Sequence, residues 1–265
     1  MPGPHESVGS THNLSKRKPD ALQAARRRDT EKKDTIDCES RYRVNGAVKI
    51  SPGSRLLFIG DSVTDCGRLR PFGQGSQQSL GTGYVAEVAT MLEPFVKGRP
   101  IQITNMGVSG NTVVDLAARW ERDVLALEPN WLSVMIGIND VWRQFGRAAL
   151  AAAITLDEYW ETYTRLITHT RPSLKGLVLM TPYYVQSDRS DPMRVMMDEY
   201  GKVVKDLAVR HDALLVDTQA AIDRVLTRVD YNAIAPDRVH PTEMGHQILA
   251  YAFARAVGIT PARRR

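Results

Sequence analysis

The 265-residue sequence predicts an α/β fold in which a parallel sheet is covered by helices on both faces. Short apolar runs alternate with longer segments whose apolar residues recur at helical spacing, which is the order of βαβ units. The runs are continuously apolar rather than alternating, as is typical of strands buried on both faces. Functional loops in such sheets gather beyond the carboxyl ends of the strands. We therefore expect candidate catalytic residues to follow strands.

Each element is bounded by residues that start or stop regular structure. The first strand stops at Gly60, the second helix stops before Pro129, and the third strand stops at Gly137. Thr155 opens the third helix and has Glu158 three residues on, which is the spacing of a capping box. The predicted strands span residues 56–59, 101–104, 131–136, 177–180 and 214–216. The predicted helices span residues 84–92, 113–127, 155–170, 193–210, 218–227 and 242–257.

The chain divides into a charged N-terminal extension, one domain and a short basic tail. Residues 1–47 hold ten basic and seven acidic residues and few apolar ones, so they cannot bury enough surface to offset the entropy of ordering. Either they form a disordered extension, or the native start lies near Val48. We expect the domain over 48–260 and the tail over 261–265.

Composition argues against several classes of protein. The formal net charge is +5, but the excess of positive charge lies at the two ends of the chain, since residues 48–262 carry −1. A protein that binds nucleic acid through its folded domain would carry its basic residues there, so we expect no nucleic-acid partner for the domain. Anion or nucleic-acid binding through residues 1–44 stays an alternative. There is neither an apolar run long enough to span a membrane nor a signal-peptide core, so we expect a cytoplasmic protein with no membrane partner.

The sequence lacks the usual motifs for binding metals or nucleotides. The two cysteines, Cys38 and Cys66, form no Cys-x-x-Cys pair, and no His-x-x-x-His or comparable cluster occurs. The Gly73-x-Gly75 and Gly81-x-Gly83 pairs lack a third glycine and do not directly follow a strand. We therefore expect no metal and no cofactor.

Three blocks of polar residues follow successive strands. Gly60-Asp61-Ser62 follows the first strand, so that Ser62 is a candidate nucleophile, although Asp and Ser also commonly cap helices. Gly107 follows the second strand, where its backbone N–H could approach a substrate carbonyl or simply belong to a turn. Asn139 follows the third strand, where its amide could donate to an oxyanion or satisfy the loop.

A fourth block lies before the last predicted helix. Asp237 and His240 are three residues apart, which places both side chains on one side of a turn, and Pro241 ends that turn. The carboxylate can then hold the imidazole in the tautomer that a general base needs. Isolated histidines are more often structural, but no other histidine of the chain has this setting.

Taken in order, Gly60-Asp61-Ser62, Gly107, Asn139 and Asp237-x-x-His240 resemble the four signature blocks of SGNH (GDSL-like) hydrolases. The resemblance implies a three-layer α/β/α sandwich with a five-stranded parallel, flavodoxin-like sheet. It implies Ser62 as nucleophile, His240 as base and Asp237 as its orienting acid. It further implies an oxyanion hole made by Ser62, Gly107 and Asn139, and it suggests a homo-oligomer.

Longer stretches resemble intracellular bacterial acetyl xylan esterases, above all residues 58–68, 135–145 and 217–221. This narrower resemblance implies an acetylesterase acting on xylo-oligosaccharides or related acetylated sugars. A broad-specificity carboxylesterase, thioesterase or lysophospholipase on the same scaffold is the alternative. Trp142, Tyr183 and Tyr184 follow strands, so these aromatic side chains could stack on sugar rings at the rim or pack within their loops.

Overall fold

The structure is a computed structural model that describes residues 42–44, 47–96, 98–145 and 153–261. The described residues belong to one compact unit that begins at Arg41. Most of the predicted extension, residues 1–41, and most of the predicted tail, residues 262–265, lie outside the described residues.

The main sheet has six strands in the order β3-β4-β2-β5-β6-β7. Five of them run parallel, and β2 lies at the centre between β4 and β5. The sixth, β3, is a two-residue antiparallel edge strand. The strands of this sheet are β2 (Arg55–Gly60), β3 (Gly73–Gln74), β4 (Gln102–Asn105), β5 (Trp131–Met135), β6 (Gly176–Met180) and β7 (Leu214–Val216). The predicted five-stranded parallel sheet is confirmed, and β3 is an addition to it.

Helices cover both faces of the sheet and build two apolar cores. One core gathers buried side chains of α3, α5 and α6 against one face, and the other gathers side chains of α2, α7 and α9 against the opposite face. The nine helices of the described residues are α1 (Ser62–Asp65), α2 (Tyr84–Leu92), α3 (Val113–Asp123), α4 (Ile138–Trp142), α5 (Leu156–Thr170), α6 (Pro192–Arg210), α7 (Thr218–Leu226), α8 (Tyr231–Ile234) and α9 (Glu243–Ala256). The three-layer sandwich is therefore confirmed.

Sequence reasoning missed two kinds of element. The short helices α1, α4 and α8 have only four or five residues, too few to show an apolar period. Residues 42–44 form a strand, β1 (Tyr42–Val44), that pairs with β8 (Ile259–Pro261). That strand lies inside the segment that we expected to be disordered, so the prediction was wrong for these three residues.

The parallel strands bring the candidate residues to one edge. Residues that follow β2, β4, β5 and β6 all lie at the carboxyl edge of the sheet, since parallel strands end on the same side. The segment 231–242 that precedes α9 reaches the same edge, because His240 contacts Ser62 at the end of β2. The expectation that candidate catalytic residues follow strands is thus confirmed for three of the four blocks.

Candidate active site

Ser62 occupies the first position of α1, immediately after β2. Asp61 caps this helix, and its Oδ1 accepts a hydrogen bond from the Val63 N–H at 3.0 Å. Cys66 closes the turn in the left-handed conformation, with φ of 37°. The cap and the left-handed residue confine α1 to one turn, and Ser62 stays half-buried with its hydroxyl directed at His240.

Ser62, His240 and Asp237 form a continuous hydrogen-bonded chain. His240 Nε2 lies 3.1 Å from Ser62 Oγ, and His240 Nδ1 lies 2.6 Å from Asp237 Oδ2. Asp237 Oδ1 accepts hydrogen bonds from the backbone N–H groups of Val239 and His240 at 3.0 and 2.8 Å. The turn is tight because Arg238 takes a φ of 65°, which places the carboxylate beneath the ring.

The carboxylate of Asp237 is held in its charged form. Partial burial alone would raise its pKa, but hydrogen bonds from the His240 ring and from two backbone N–H groups outweigh burial and hold the pKa below its usual range. An ionised Asp237 accepts a hydrogen bond from the Nδ1–H of His240, which leaves the lone pair of Nε2 facing the Ser62 hydroxyl. This is the tautomer that can remove a proton from Ser62.

Two of the three expected oxyanion donors keep an unused N–H among the described residues. The backbone N–H of Ser62 has no hydrogen-bond acceptor among the described residues. The Asn139 side chain donates one N–H to the Asn111 carbonyl at 3.0 Å and keeps its second N–H. Asn139 is buried in the first turn of α4, so its amide is fixed in position.

Gly107 does not supply the free donor that the sequence suggested. Its N–H donates to Asn105 Oδ1 at 2.9 Å, and a Cβ at this position would overlap the backbone of Asp65. Gly107 therefore serves close packing of the loop against α1. The signal was present in the sequence, because an Asn two residues earlier commonly closes such a turn with its own side chain.

Gly110, which our sequence analysis did not single out, presents an unused N–H in the same loop. It has a φ of 81°, and its N–H has no acceptor among the described residues. Its neighbour Asn111 is bound by Asn139, so this backbone lies beside the Asn139 amide. Of the two glycines, Gly110 is the one with a free backbone donor.

Comparison with known proteins agrees with this geometry. Residues 58–248, well over half of the chain, match the GDSL-like lipase/acylhydrolase family. The chain belongs to this family. It is 52% identical to an acetylxylan esterase of Geobacillus stearothermophilus over 219 residues, which is 82% of this chain and all of that protein.

Two solved structures match the fold as well. A crystal structure of the Geobacillus stearothermophilus acetylxylan esterase superposes with a TM-score of 0.78, covering 82% of this chain and 100% of that one. An alpha/beta hydrolase from the metagenome of Lake Arreo in Spain is 43% identical, with a TM-score of 0.77 over 80% of this chain and 98% of that one.

In this GDSL-like site, arginines hold the loop after β4, here termed the oxyanion loop (residues 106–111). Arg119 donates to the carbonyls of Met106 and Gly60 at 2.7 and 3.0 Å and to Asn111 Oδ1 at 2.6 Å. From the other side, Arg68 donates to the Gly107 carbonyl at 2.7 Å. A third and a fourth arginine, Arg70 and Arg143, donate to the carbonyls of Gly107 and Gly110 respectively. These contacts fix the loop and surround it with positive charge.

Carboxylates anchor the same loop. Asp65 Oδ2 accepts hydrogen bonds from the N–H and hydroxyl of Ser109 and from Arg70. Asp140, next to Asn139, accepts a hydrogen bond from the Val113 N–H at 2.9 Å, while its Oδ2 is buried without a partner among the described residues. Burial raises the pKa of Asp140 to about 7, and burial likewise raises that of Asp61 to about 7.

The three rim aromatics have different surroundings. Trp142 is 42% exposed, and the centroid of its ring lies 5.9 Å from that of His240 in an edge-to-face arrangement. Tyr184 is half-buried and lies at the same edge of the sheet. Tyr183 is only 2% exposed, and its hydroxyl donates to the Val239 carbonyl at 2.9 Å. The expectation that Tyr183 could stack on a sugar was wrong, because it is a core residue that supports the loop of His240.

His246, on α9, is a packing residue. Burial lowers its pKa to about 4, and its Nδ1 accepts a hydrogen bond from the Tyr84 N–H at 3.1 Å.

Across residues 42–44, 47–96, 98–145 and 153–261, no group of three or more His, Cys, Asp or Glu side chains could hold a metal ion. In the same part of the chain, no helix is both long enough and apolar enough to cross a membrane.

Proposed function

We propose that the protein is a serine esterase that removes O-acetyl groups from xylo-oligosaccharides or related acetylated sugars through an acetyl-Ser62 intermediate. The observation that carries this proposal is the hydrogen-bonded chain from Asp237 through His240 to Ser62. Family membership supports the ester hydrolysis, and the 52% identity to an acetylxylan esterase supports the substrate class.

In the first half of the reaction, Ser62 Oγ attacks the acetyl carbonyl carbon while His240 Nε2 takes the hydroxyl proton. The tetrahedral intermediate then collapses, the bond between the carbonyl carbon and the sugar oxygen breaks, and His240 returns the proton to that oxygen. The sugar leaves as an alcohol, and Ser62 carries the acetyl group. Asp237 stays ionised and stabilises the imidazolium that forms.

In the second half, His240 takes a proton from water, which attacks the acetyl-Ser62 carbonyl. Collapse of the second intermediate releases acetic acid, and His240 returns its proton to Ser62 Oγ. Because Ser62 lies at the exposed edge of the sheet and His240 has 47% of its side chain exposed, water can reach the ester without a large movement.

The negative oxygen of each intermediate meets donors that are fixed before the reaction. We assign this role to the backbone N–H of Ser62 and to the second N–H of Asn139, with Gly110 rather than Gly107 supplying the N–H of the oxyanion loop. Of the four arginines around that loop, Arg70 and Arg119 are paired with carboxylates, so Arg68 and Arg143 are the two that add a positive potential there. Preorganised donors of this kind are commonly the largest contribution to acyl-transfer catalysis.

We assign sugar recognition to the two rim aromatics that are not buried. Trp142 presents its ring beside His240, where the alcohol half of the ester leaves, and Tyr184 is the second candidate. The cytoplasmic location, the homo-oligomer, the absence of a nucleic-acid partner and the domain boundaries at 48 and 260 stay predictions.

The test is acetate release from acetylated xylo-oligosaccharides, measured beside hydrolysis of p-nitrophenyl acetate and p-nitrophenyl octanoate. We expect release from the sugar and the acetate ester and little from octanoate. Ser62→Ala should abolish both, whereas Ser51→Ala, an exposed serine at the opposite end of the sheet, should match the wild type. Rapid octanoate turnover without acetate from the sugar would instead favour the broad-specificity esterase.

A further inference from the structure

Arg143 differs from the other arginines that hold the oxyanion loop. Arg68 and Arg119 are buried, and Arg70 is paired with Asp65 at 2.7 Å. Arg143 is exposed and donates through one nitrogen to the Gly110 carbonyl. Its Nε and its other terminal nitrogen have no partner, and it has no ion pair, among the residues that the structure describes. Arg143 therefore keeps most of its five N–H donors and a full charge beside the oxyanion loop.

Arg143 lies beside the candidate active site. It directly follows Trp142, whose ring lies edge-to-face with that of His240, and it donates to the Gly110 carbonyl in the oxyanion loop. Trp142 and Arg143 are therefore adjacent exposed side chains next to both sides of the site.

The charge near Arg143 is not neutralised by the carboxylates of the site. Asp65 is held by Arg70 and Ser109, and Asp237 is held by His240. The buried Arg68 has a pKa lowered to about 10, first by burial and then by the neighbouring Arg70 charge, while Asp65 and Asp123 oppose this shift. An anionic group that approaches the exposed Arg143 would be attracted to its charge.

We propose that Arg143 selects acetylated saccharides that carry a carboxylate, such as a uronic acid branch, close to the acetylated sugar. This inference rests on the proposed function and adds a substrate class to it. The Gly110 carbonyl uses one of the two Nη2 hydrogens, so the other can still act with the Nε or Nη1 N–H on the two oxygens of a carboxylate, and an Arg–carboxylate pair adds direction as well as attraction. Trp142 would support the ring of the same saccharide.

The experiment compares kcat/KM for acetylated xylo-oligosaccharides that carry a uronic acid with the same preparation after its carboxyl groups have been reduced to alcohols. For the wild type we expect a preference of about threefold to tenfold for the acidic form, falling as salt is added. Arg143→Gln should bring the ratio to about one, and Arg143→Lys should keep part of the preference.

The control is Arg255→Gln, which removes the same charge from an exposed position in the last turn of α9, about 20 Å along that helix from its start beside His240. Its ratio should equal that of the wild type. The ratio is the informative quantity, because a merely structural loss at Arg143 would lower both rates equally.

Three results would overturn the proposal. Equal kcat/KM for the acidic and reduced substrates in the wild type would do so, as would a preference that survives in Arg143→Gln. Acetate release from neither substrate, with p-nitrophenyl acetate still hydrolysed, would overturn the proposed function and this inference together.

Discussion

The two sides of the candidate active site are held in different ways. On the acid–base side, residues 237–240 are held by the Asp237 carboxylate within the loop, by hydrogen bonds to the backbone of Val185 and by the Tyr183 hydroxyl, and both acting side chains are about half exposed. On the oxyanion side, the oxyanion loop is tied by arginines and carboxylates from three other segments. The side that moves a proton is therefore held mainly by backbone contacts and stays open to solvent, whereas the side that stabilises charge is fixed mainly by charged side chains.

The acid–base side should give the largest effect on rate. His240→Ala removes the group that takes the Ser62 proton, so we expect kcat on p-nitrophenyl acetate to fall by about a thousandfold or more with the fold intact. The measurement is steady-state kinetics beside circular dichroism. His169→Ala, an exposed histidine in the last turn of α5, should keep full activity. A folded His240→Ala protein with near-normal kcat would refute the assigned base.

The second largest effect on rate is expected from the oxyanion side. Asn139→Ala removes one preorganised donor, so we expect kcat to fall by about a hundredfold to a thousandfold with little change in KM. Asn130→Ala is the matched control, because the Asn130 side chain also hydrogen-bonds the backbone, accepting from the Arg55 N–H, but at the opposite end of the sheet. It should lose stability and keep activity. Similar kcat values for the two variants would remove Asn139 from the oxyanion hole.

The difference between the two sides should also appear in the dependence of stability on pH. Burial raises the pKa of Asp61 and Asp140 to about 7, so these two groups bind more protons in the folded protein than in the unfolded chain between about pH 4 and pH 7, which outweighs the opposite effect of His246, whose pKa burial lowers to about 4. The free energy of unfolding should therefore fall as pH rises through this range, by about 1–4 kcal/mol.

Asp140→Asn should make the free energy of unfolding depend less steeply on pH, since it removes one of the two carboxyl groups with a raised pKa. Asp206→Asn, an exposed carboxylate on α6, should leave it unchanged. Urea unfolding at several pH values measures the effect. A slope in Asp140→Asn as steep as that of the wild type would show that Asp140 is ionised throughout.

The smallest effect on rate is expected from Tyr183, whose hydroxyl supports the loop of residues 237–240. Tyr183→Phe removes the hydrogen bond to the Val239 carbonyl, so we expect a loss of about 0.5–1.5 kcal/mol in unfolding free energy and a decrease of kcat of a few-fold. Tyr163→Phe is a close control, because the Tyr163 hydroxyl is buried without a partner among the described residues. If both variants lost equal stability, the Tyr183 hydrogen bond would not support the loop.

Much of the fold and the acid–base side could be predicted from sequence. Continuous apolar runs gave the five parallel strands, and the three-residue offset of Asp237 and His240 placed them in one turn. The edge strand at Gly73–Gln74 could not be predicted, since two residues carry no period.

The oxyanion side was harder to predict because its contacts join residues that are distant in sequence. Arg119 and Gly60 are 59 residues apart, and nothing local marks their hydrogen bond. The choice between Gly107 and Gly110 depends on which N–H is already used, which a motif does not state. Tyr183 and its neighbour Tyr184 follow the same strand, and only the direction of each side chain separates the core residue from the rim residue.

The central claim is that Ser62 carries the acetyl group. Rapid mixing with p-nitrophenyl acetate, followed by acid quench and peptide mass spectrometry, tests it most directly. We predict one added acetyl group on the peptide that contains Ser62 in the wild type and none in Ser62→Ala. An acetyl group on another residue, or steady hydrolysis by Ser62→Ala, would contradict the account.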